Sequence, residues 1–272
     1  MFCQNRLAVV GLIIFSILLL LAIFADVIAD YDTKVILIDP INRLQSPSME
    51  HIFGTDELGR DVFARVIHGA RISLRIGFLA ITLSAVVGST LGAIAGYFGG
   101  KIDTIIMRFI DIFTCLPDLL LAIAIVAAFG NSQTNLIIAV GLSRVPNFAR
   151  TVRSAVLSVS GAEYVEAARA IGATNIVIIF KHVLINCLAT FIVQYTICIA
   201  GAINVVSALS FIGLGISAPT PEWGCMLAGS RNFIRDHLNL VLAPGMAIFV
   251  SLFSLNMIGD GLRDALDPKL RK

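Results

Sequence analysis

Glu163-Tyr164-Val165-Glu166-Ala167-Ala168-Arg169-Ala170-Ile171-Gly172 is a short amphipathic stretch in a chain that otherwise reads as bilayer-spanning helices. Ser160-x-x-Glu163 has the spacing of a capping box, in which a hydroxyl and a carboxylate satisfy the free backbone N–H groups of a helix start. From there Tyr164, Ala167, Ala168 and Ile171 recur at i, i+3, i+4 and i+7 and predict one apolar face. Glu166 and Arg169 fall on the other side at the spacing of an i,i+3 ion pair. Gly172 is a natural stop. The alanines leave the face shallow at its centre, where another protein's backbone can approach. A helix lying on lipid headgroups carries bulky anchors and an excess of Lys and Arg. This one carries small residues and two acids, which favours docking to a protein over lying on lipid.

The composition around it sets the class. Hydrophobic residues make up 57% of the 272 residues and charged residues 14%, whereas a soluble domain carries about a quarter charged residues. The chain reads as an all-α, polytopic membrane protein, with length for one compact bundle and no sizeable soluble domain. A net charge of +2 gives no argument for nucleic acid as a partner; the lipid bilayer is the expected surrounding. Cys3, Cys115, Cys187, Cys198 and Cys225 form no CxxC and predict no disulfide framework. His51, His68, His182 and His237 are scattered, so neither a metal site nor a bound cofactor is expected.

The spans follow from uncharged runs. Residues 7–25, 76–100 and 238–259 are each long enough, given that a spanning helix needs about 20 residues. The first run exceeds the roughly 7–15 residues of a signal-peptide core, so 7–29 is read as a retained transmembrane helix. Residues 183–221 are uncharged but end in the breaker cluster Gly213-Leu-Gly-Ile-Ser-Ala-Pro-Thr-Pro221, which predicts a helix ending near Ile212 and then a loop or partly inserted turn. Residues 112–130 span if Asp118 is tolerated. The return helix from Leu136 meets Arg144 and Pro146 early; six helices are expected with it, five without. The remaining divisions are an extracytoplasmic segment over 30–72 and a core over 73–268 with a cytosolic loop at about 151–182. With six spans, twelve Lys and Arg fall on the side of both termini and eight on the other, which places both termini in the cytoplasm.

Other positions invite readings of their own. Gly88, Gly92 and Gly96 form a small-xxx-small stripe that lets helices cross closely. In residues 51–65, Gly54 and Gly59 permit tight turns. Arg60 beside Asp56, Glu57 and Asp61 allows a local ion-pair network, either organising the segment itself or gripping a delivery protein. Trp223 reads as an interfacial anchor rather than a stacking residue. Asp118, an intramembrane carboxylate, faces a cavity or partner, or else snorkels and caps the break at Pro117.

Glu166-Ala167-Ala168, three residues, Gly172, then nine residues before His182-Val-Leu184 resembles the EAA loop of ABC-importer permeases. The usual motif ends in Leu-Pro; here Ile185 stands at the proline position and leaves the helix free to continue. His51-x-x-Gly54-Thr55-Asp56-x-x-Gly59-Arg60-Asp61, then Arg65, Gly69, Arg71 and Ser73, is similar to the segment after the first helix of peptide/nickel permeases. Ser210-Phe-Ile-Gly-Leu-Gly215, Pro219-Thr-Pro-Glu-Trp-Gly224 and Asn256-x-x-Gly259-Asp260-x-Leu262-Arg263-Asp264 resemble the same subfamily. In order, these motifs cover most of residues 50–268 and look like the C-type, second permease of dipeptide and oligopeptide importers.

The resemblance implies a type I ABC importer permease bundle in a bacterial or archaeal plasma membrane. Its implied partners are a second homologous permease, two ABC ATPase subunits and an extracytoplasmic substrate-binding protein. The implied coupling residues are Tyr164, Glu166, Ala167, Ala168, Ile171 and Gly172; the implied extracytoplasmic motif is Gly54, Thr55, Asp56, Gly59, Arg60 and Asp61. The cargo implied is a di- or oligopeptide, with nickel or a metal chelate as the alternative. There is no GxxxxGK[ST], so any ATP hydrolysis falls to another polypeptide, and no HExxH or complete serine-hydrolase set points to an enzyme. A self-sufficient secondary carrier would need inverted repeats and paired midplane charges, and neither is visible in the sequence.

Overall fold

Helices make up most of the chain in the computed structural model, which describes residue 2 and residues 5–266. Cys3, residues 267–268 of the expected core, and Lys269, Arg271 and Lys272 of the charge bias lie outside the described residues. Among the described residues nine α-helices have eight residues or more: α1 (Arg6–Ile23), α2 (Val62–Phe98), α3 (Gly100–Thr114), α4 (Asp118–Phe129), α5 (Gln133–Ser160), α6 (Glu163–Ala170), α7 (Leu184–Phe211), α8 (Trp223–Ser230) and α9 (Asn239–Leu266).

Four of these, α1, α2, α9 and the helical stretch Asn175–Phe211 that includes α7, are long and apolar enough to cross a bilayer. The pair α3 and α4, bent by 82° at a short break, makes a fifth if counted as one span. At 28 residues α5 also has the length, but Arg144, Arg150 and Arg153 lower its apolarity. It stands nonetheless as one continuous helix between α2, α4 and α7.

Helix α2 starts well before the uncharged run that marks its span. It begins at Val62, so residues 62–72 of the expected extracytoplasmic segment are the first turns of this helix. Asp61 starts it, its Oδ1 accepting from Ala64 N at 2.8 Å, which satisfies one of the donors left free at a helix start. Charged side chains within 62–75 break the uncharged run; of these Arg65 is buried and donates from Nη1 to Val35 O at 2.9 Å.

The glycine stripe fixes the central packing. A Cβ on Gly88 would lie 2.6 Å from Val145 O, and one on Gly96 would lie 2.9 Å from Arg153 O. At Gly92 it would drive into the Ala149 carbonyl. Helix α2 therefore lies backbone to backbone along α5, as small-xxx-small spacing allows. Around the seam Ile76, Ile81, Leu136, Val140, Phe148 and Leu209 form the main core. Arg153 Nη2 to Asp103 Oδ2 at 2.6 Å and Arg150 Nη2 to Asp111 Oδ1 at 2.8 Å hold α3 on α5.

Side-chain bonds between distant segments give the relative sidedness. Asn131 Nδ2 donates to Gly213 O at 3.0 Å and Asn239 Nδ2 to Phe53 O at 2.8 Å, so the loops after α1, α4 and α7 share one face. Asn5 Nδ2 reaches Asp264 Oδ2 at 3.1 Å, and Tyr97 Oη donates to Asn175 Oδ1 at 2.8 Å. These put the starts of α1 and α7 and the ends of α2 and α9 on the opposite face, with α6.

Candidate functional site: the surface helix and its mounting

Helix α6 does form, but its start and its faces differ from the sequence reading. Ser160 is the last residue of α5, its hydroxyl donating to Leu157 O at 3.3 Å. The N-cap is Ala162, with no side-chain bond, so the expected capping box is not made. The competing helix won: α5 continues through Ser160, and Gly161-Ala162 then turns the chain. The C-terminus follows expectation. Ala173 N bonds Ala168 O at 3.1 Å and Gly172 N bonds Arg169 O at 3.1 Å, with Gly172 at φ +82°. That is a Schellman stop, and its left-handed residue is where glycine escapes the Cβ penalty.

The expected single apolar face is split in two. Val165 and Ala168 are buried, in one cluster with Ala93 of α2, Val152 and Val156 of α5, Ile178 and Val183 of the turn before α7, and Cys187 of α7. Tyr164 is 44% exposed and Ile171 86% exposed, with Ala167 open between them. An eight-residue helix is too short to hold itself, so it spends one edge on anchorage, and Val165, outside the predicted face, is the centre of that edge. The remaining apolar positions at i, i+3 and i+7 form a strip facing away from the bundle. Glu166 lies exposed beside it. The pair of Glu166 with Arg169 is not formed; the Arg169 guanidinium sits 5.8 Å from the Tyr97 ring centroid instead, in cation–π range. Beyond Gly172 the chain runs through a wide helical turn, Ile178–Val183, into α7, and Ile185 continues that helix.

On the opposite face residues 37–61 fold into a tight cap. Gly54 and Gly59 sit at φ +77° and +80°, and a Cβ on Gly59 would strike the Asp39 carbonyl. Thr55 is buried, its hydroxyl accepting from Gln45 N at 2.8 Å. Asp56 Oδ2 accepts from Arg60 Nε at 2.7 Å and lies 3.5 Å from Arg65 Nε. Asp61 turns away from Arg60, to the start of α2 and to His51 Nδ1 at 2.8 Å. Asp56, Glu57, Arg60 and Arg65 line a cavity of about 390 Å³, closed on its far side by α8. Asp56 and Arg60, and Asp61 and His51, are thus paired within the cap.

Trp223 is a correction. It is fully buried rather than interfacial, with its indole N–H donating to Val66 O at 2.9 Å. Glu222 beside it is also buried; its Oε2 accepts from Cys225 N at 2.9 Å and caps α8, while Oε1 accepts from Ser73 Oγ at 3.2 Å. Burial pushes its carboxyl above the ordinary carboxylate range, opposed by the Cys225 and Ser73 donors. Together they clamp α8 onto α2, which accounts for Pro-Glu-Trp-Gly as a folding signal.

The structure also joins two residues that the sequence left apart. Asp118, at the start of α4, lies 3.3 Å (Oδ2) from Arg144 Nε of α5. The signal was present as two charges 26 positions apart in apolar surroundings, but only the packing of α4 on α5 pairs them.

The family described as "Binding-protein-dependent transport system inner membrane component" matches residues 88–272, and the "N-terminal TM domain of oligopeptide transport permease C" matches residues 1–47. The dipeptide transport system permease protein DppC of Alkalihalophilus pseudofirmus is 50% identical over 268 residues, covering 98% of this chain and 88% of that protein. The di/tripeptide transport system permease protein DppC of Pseudomonas aeruginosa is 42% identical, over 99% of this chain and 90% of its own length. The glutathione transport system permease protein GsiD of Escherichia coli is 41% identical, over 99% and 89%. In structure the chain resembles one from the inward-facing MetNI methionine ABC transporter, with a TM-score of 0.63 at 18% identity, over 75% of this chain and 96% of that one. The fold is therefore that of an ABC importer permease, and the chain belongs to the family of inner membrane components of binding-protein-dependent transport systems.

Proposed function

We propose that the chain is the C-type permease of an ATP-driven importer of di- and oligopeptides. It forms the translocation pathway with a second, homologous permease. Of two cytosolic ATPase subunits one docks on α6, the other serving the second permease, and an extracytoplasmic binding protein delivers the peptide. The observation that carries the coupling role is the split of α6 into an anchored edge and an open apolar strip. Val165 and Ala168 share one buried cluster with residues of α2, α5 and the turn that leads into α7, so a push on Tyr164, Ala167 and Ile171 is passed through that cluster to the long helices. Because the glycine seam binds α2 to α5, those two move as one body. ATP hydrolysis belongs to separate subunits, in keeping with the permease relatives.

Peptide cargo is supported by relatives named for dipeptide, di/tripeptide and glutathione transport, and these leave nickel or a metal chelate as the less supported alternative. The relative sidedness places α6 with both described chain ends, and the Lys and Arg excess favours the cytoplasm for that face. The setting is the plasma membrane of a bacterium or archaeon. Reconstitution tests the whole reading. Proteoliposomes holding both permeases, the ATPases and the loaded binding protein should accumulate labelled dipeptide only with ATP, and the permease chain alone should be inert. ATP-independent uptake by this chain alone would refute the proposal.

A further inference from the structure

We infer that Asp118 and Arg144 form a binding site for the two termini of a zwitterionic peptide midway through the membrane, Arg144 taking the carboxylate and Asp118 the ammonium. The inference rests on the importer reading above. Helix α4 has 12 residues, so Asp118 lies ~18 Å from its outer end at 1.5 Å per residue. Arg144 lies ~16 Å along α5 from Gln133 by the same rise. In a hydrocarbon core ~30 Å thick both are near the middle.

A permanent, buried ion pair would be expected to be closed and mutually hydrogen-bonded. This one is neither. Asp118 is 42% exposed and Arg144 18% exposed, and the flanking Leu116, Leu119 and Leu120 are exposed too. A carboxylate open to lipid at this depth is costly, and such groups face water or a partner; in an importer that face is the pathway. Arg144 Nε is buried with no hydrogen-bond acceptor, although the carboxylate oxygen is only 3.3 Å away. The contact is Coulombic and its N–H is misaimed. On its other side the guanidinium lies over Gly201, where a Cβ would stand 3.1 Å from both Nη atoms. The absence of a side chain at 201 leaves room for the planar group.

A guanidinium whose Nε–H lacks an acceptor can take a carboxylate through its fork in two parallel hydrogen bonds. A peptide carboxylate arriving there satisfies that donor, and the released Asp118 pairs with the ammonium. One ion pair and one zwitterion become two ion pairs, so no net charge enters the membrane. Peptides of different side chains share both termini, which suits a pathway whose selectivity is set elsewhere.

The test uses the assembled transporter in proteoliposomes, measuring labelled Ala-Ala uptake beside ATP hydrolysis stimulated by the loaded binding protein. Arg144→Gln and Asp118→Asn should each cut uptake per ATP hydrolysed at least ~10-fold while stimulated hydrolysis persists. The double variant Asp118→Leu/Arg144→Met replaces the pair by apolar contact that can staple α4 to α5 equally well, and it should be as defective. Arg144→Lys, which keeps the charge but not the fork, should raise the KM for peptide several-fold with hydrolysis unchanged. If the apolar pair transports like wild type, the pair is a helix staple and the inference falls while the importer reading stands. If wild type itself imports no peptide, both fall together.

Discussion

Replacing Ile171 by alanine tests the coupling strip where the structure makes a sharp forecast. Ile171 is 86% exposed at the end of α6, and its side chain supports nothing in the bundle. Truncation removes three carbons, which at about 0.8 kcal/mol per buried CH₂ amounts to about 2 kcal/mol if the docked ATPase covers them. At 1.4 kcal/mol per factor of ten, the ATPase subunit should bind roughly 30-fold more weakly. The permease's own stability should move by no more than about 0.5 kcal/mol, as for other exposed positions. Val165→Ala should behave in the opposite way, because that side chain is wholly buried in the mounting. It should lower the permease's own stability by about 2 kcal/mol, through two lost buried carbons and the space they leave, while leaving the docking surface chemically intact. The assay is titration of labelled ATPase subunit onto the permease pair in nanodiscs, beside thermal unfolding in detergent. An Ile171→Ala affinity within threefold of wild type would refute the claim that this strip is covered by the ATPase.

Gly172→Ala places a Cβ on a residue at φ +82°. The left-handed conformation should then cost about 1 kcal/mol, seen as faster amide exchange across 163–172 and weaker ATPase stimulation. Gly92→Leu should drive α2 from α5, because even a Cβ there collides with the Ala149 carbonyl. A loss of about 1–3 kcal/mol is expected, read as a lower Tm in detergent, whereas Gly161→Ala, with open space around it, should unfold like wild type. Trp223 is the sole tryptophan, so its emission should be blue-shifted and insensitive to iodide in the isolated permease. Strong quenching by iodide would place it at the interface after all.

Much of the bundle was legible before any coordinates. The uncharged runs, the Gly88-Gly92-Gly96 stripe and the Gly172 stop are local signals, since each depends on spacing along one helix. Where reading failed, two segments competed for the same residues or a distant partner intervened. Ser160 fits a cap for α6, yet α5 claims it. Arg169 is spaced for Glu166, yet the Tyr97 ring at the end of α2 attracts it. Trp223 has the composition of an anchor, yet Val66 O in α2 offers its N–H a buried acceptor.

The sequence alone determined a helical membrane bundle with a short, small-residued surface helix, because hydrophobic run length and 3.6-residue periodicity are written directly in the order of residues. Tertiary structure alone decided which edge of that helix is mounted and which is free. It also decided that Asp118 meets Arg144 over Gly201. A helix's rotation about its axis, and a pairing between charges 26 residues apart, are set by the neighbours that pack against it. No local pattern in the chain encodes them.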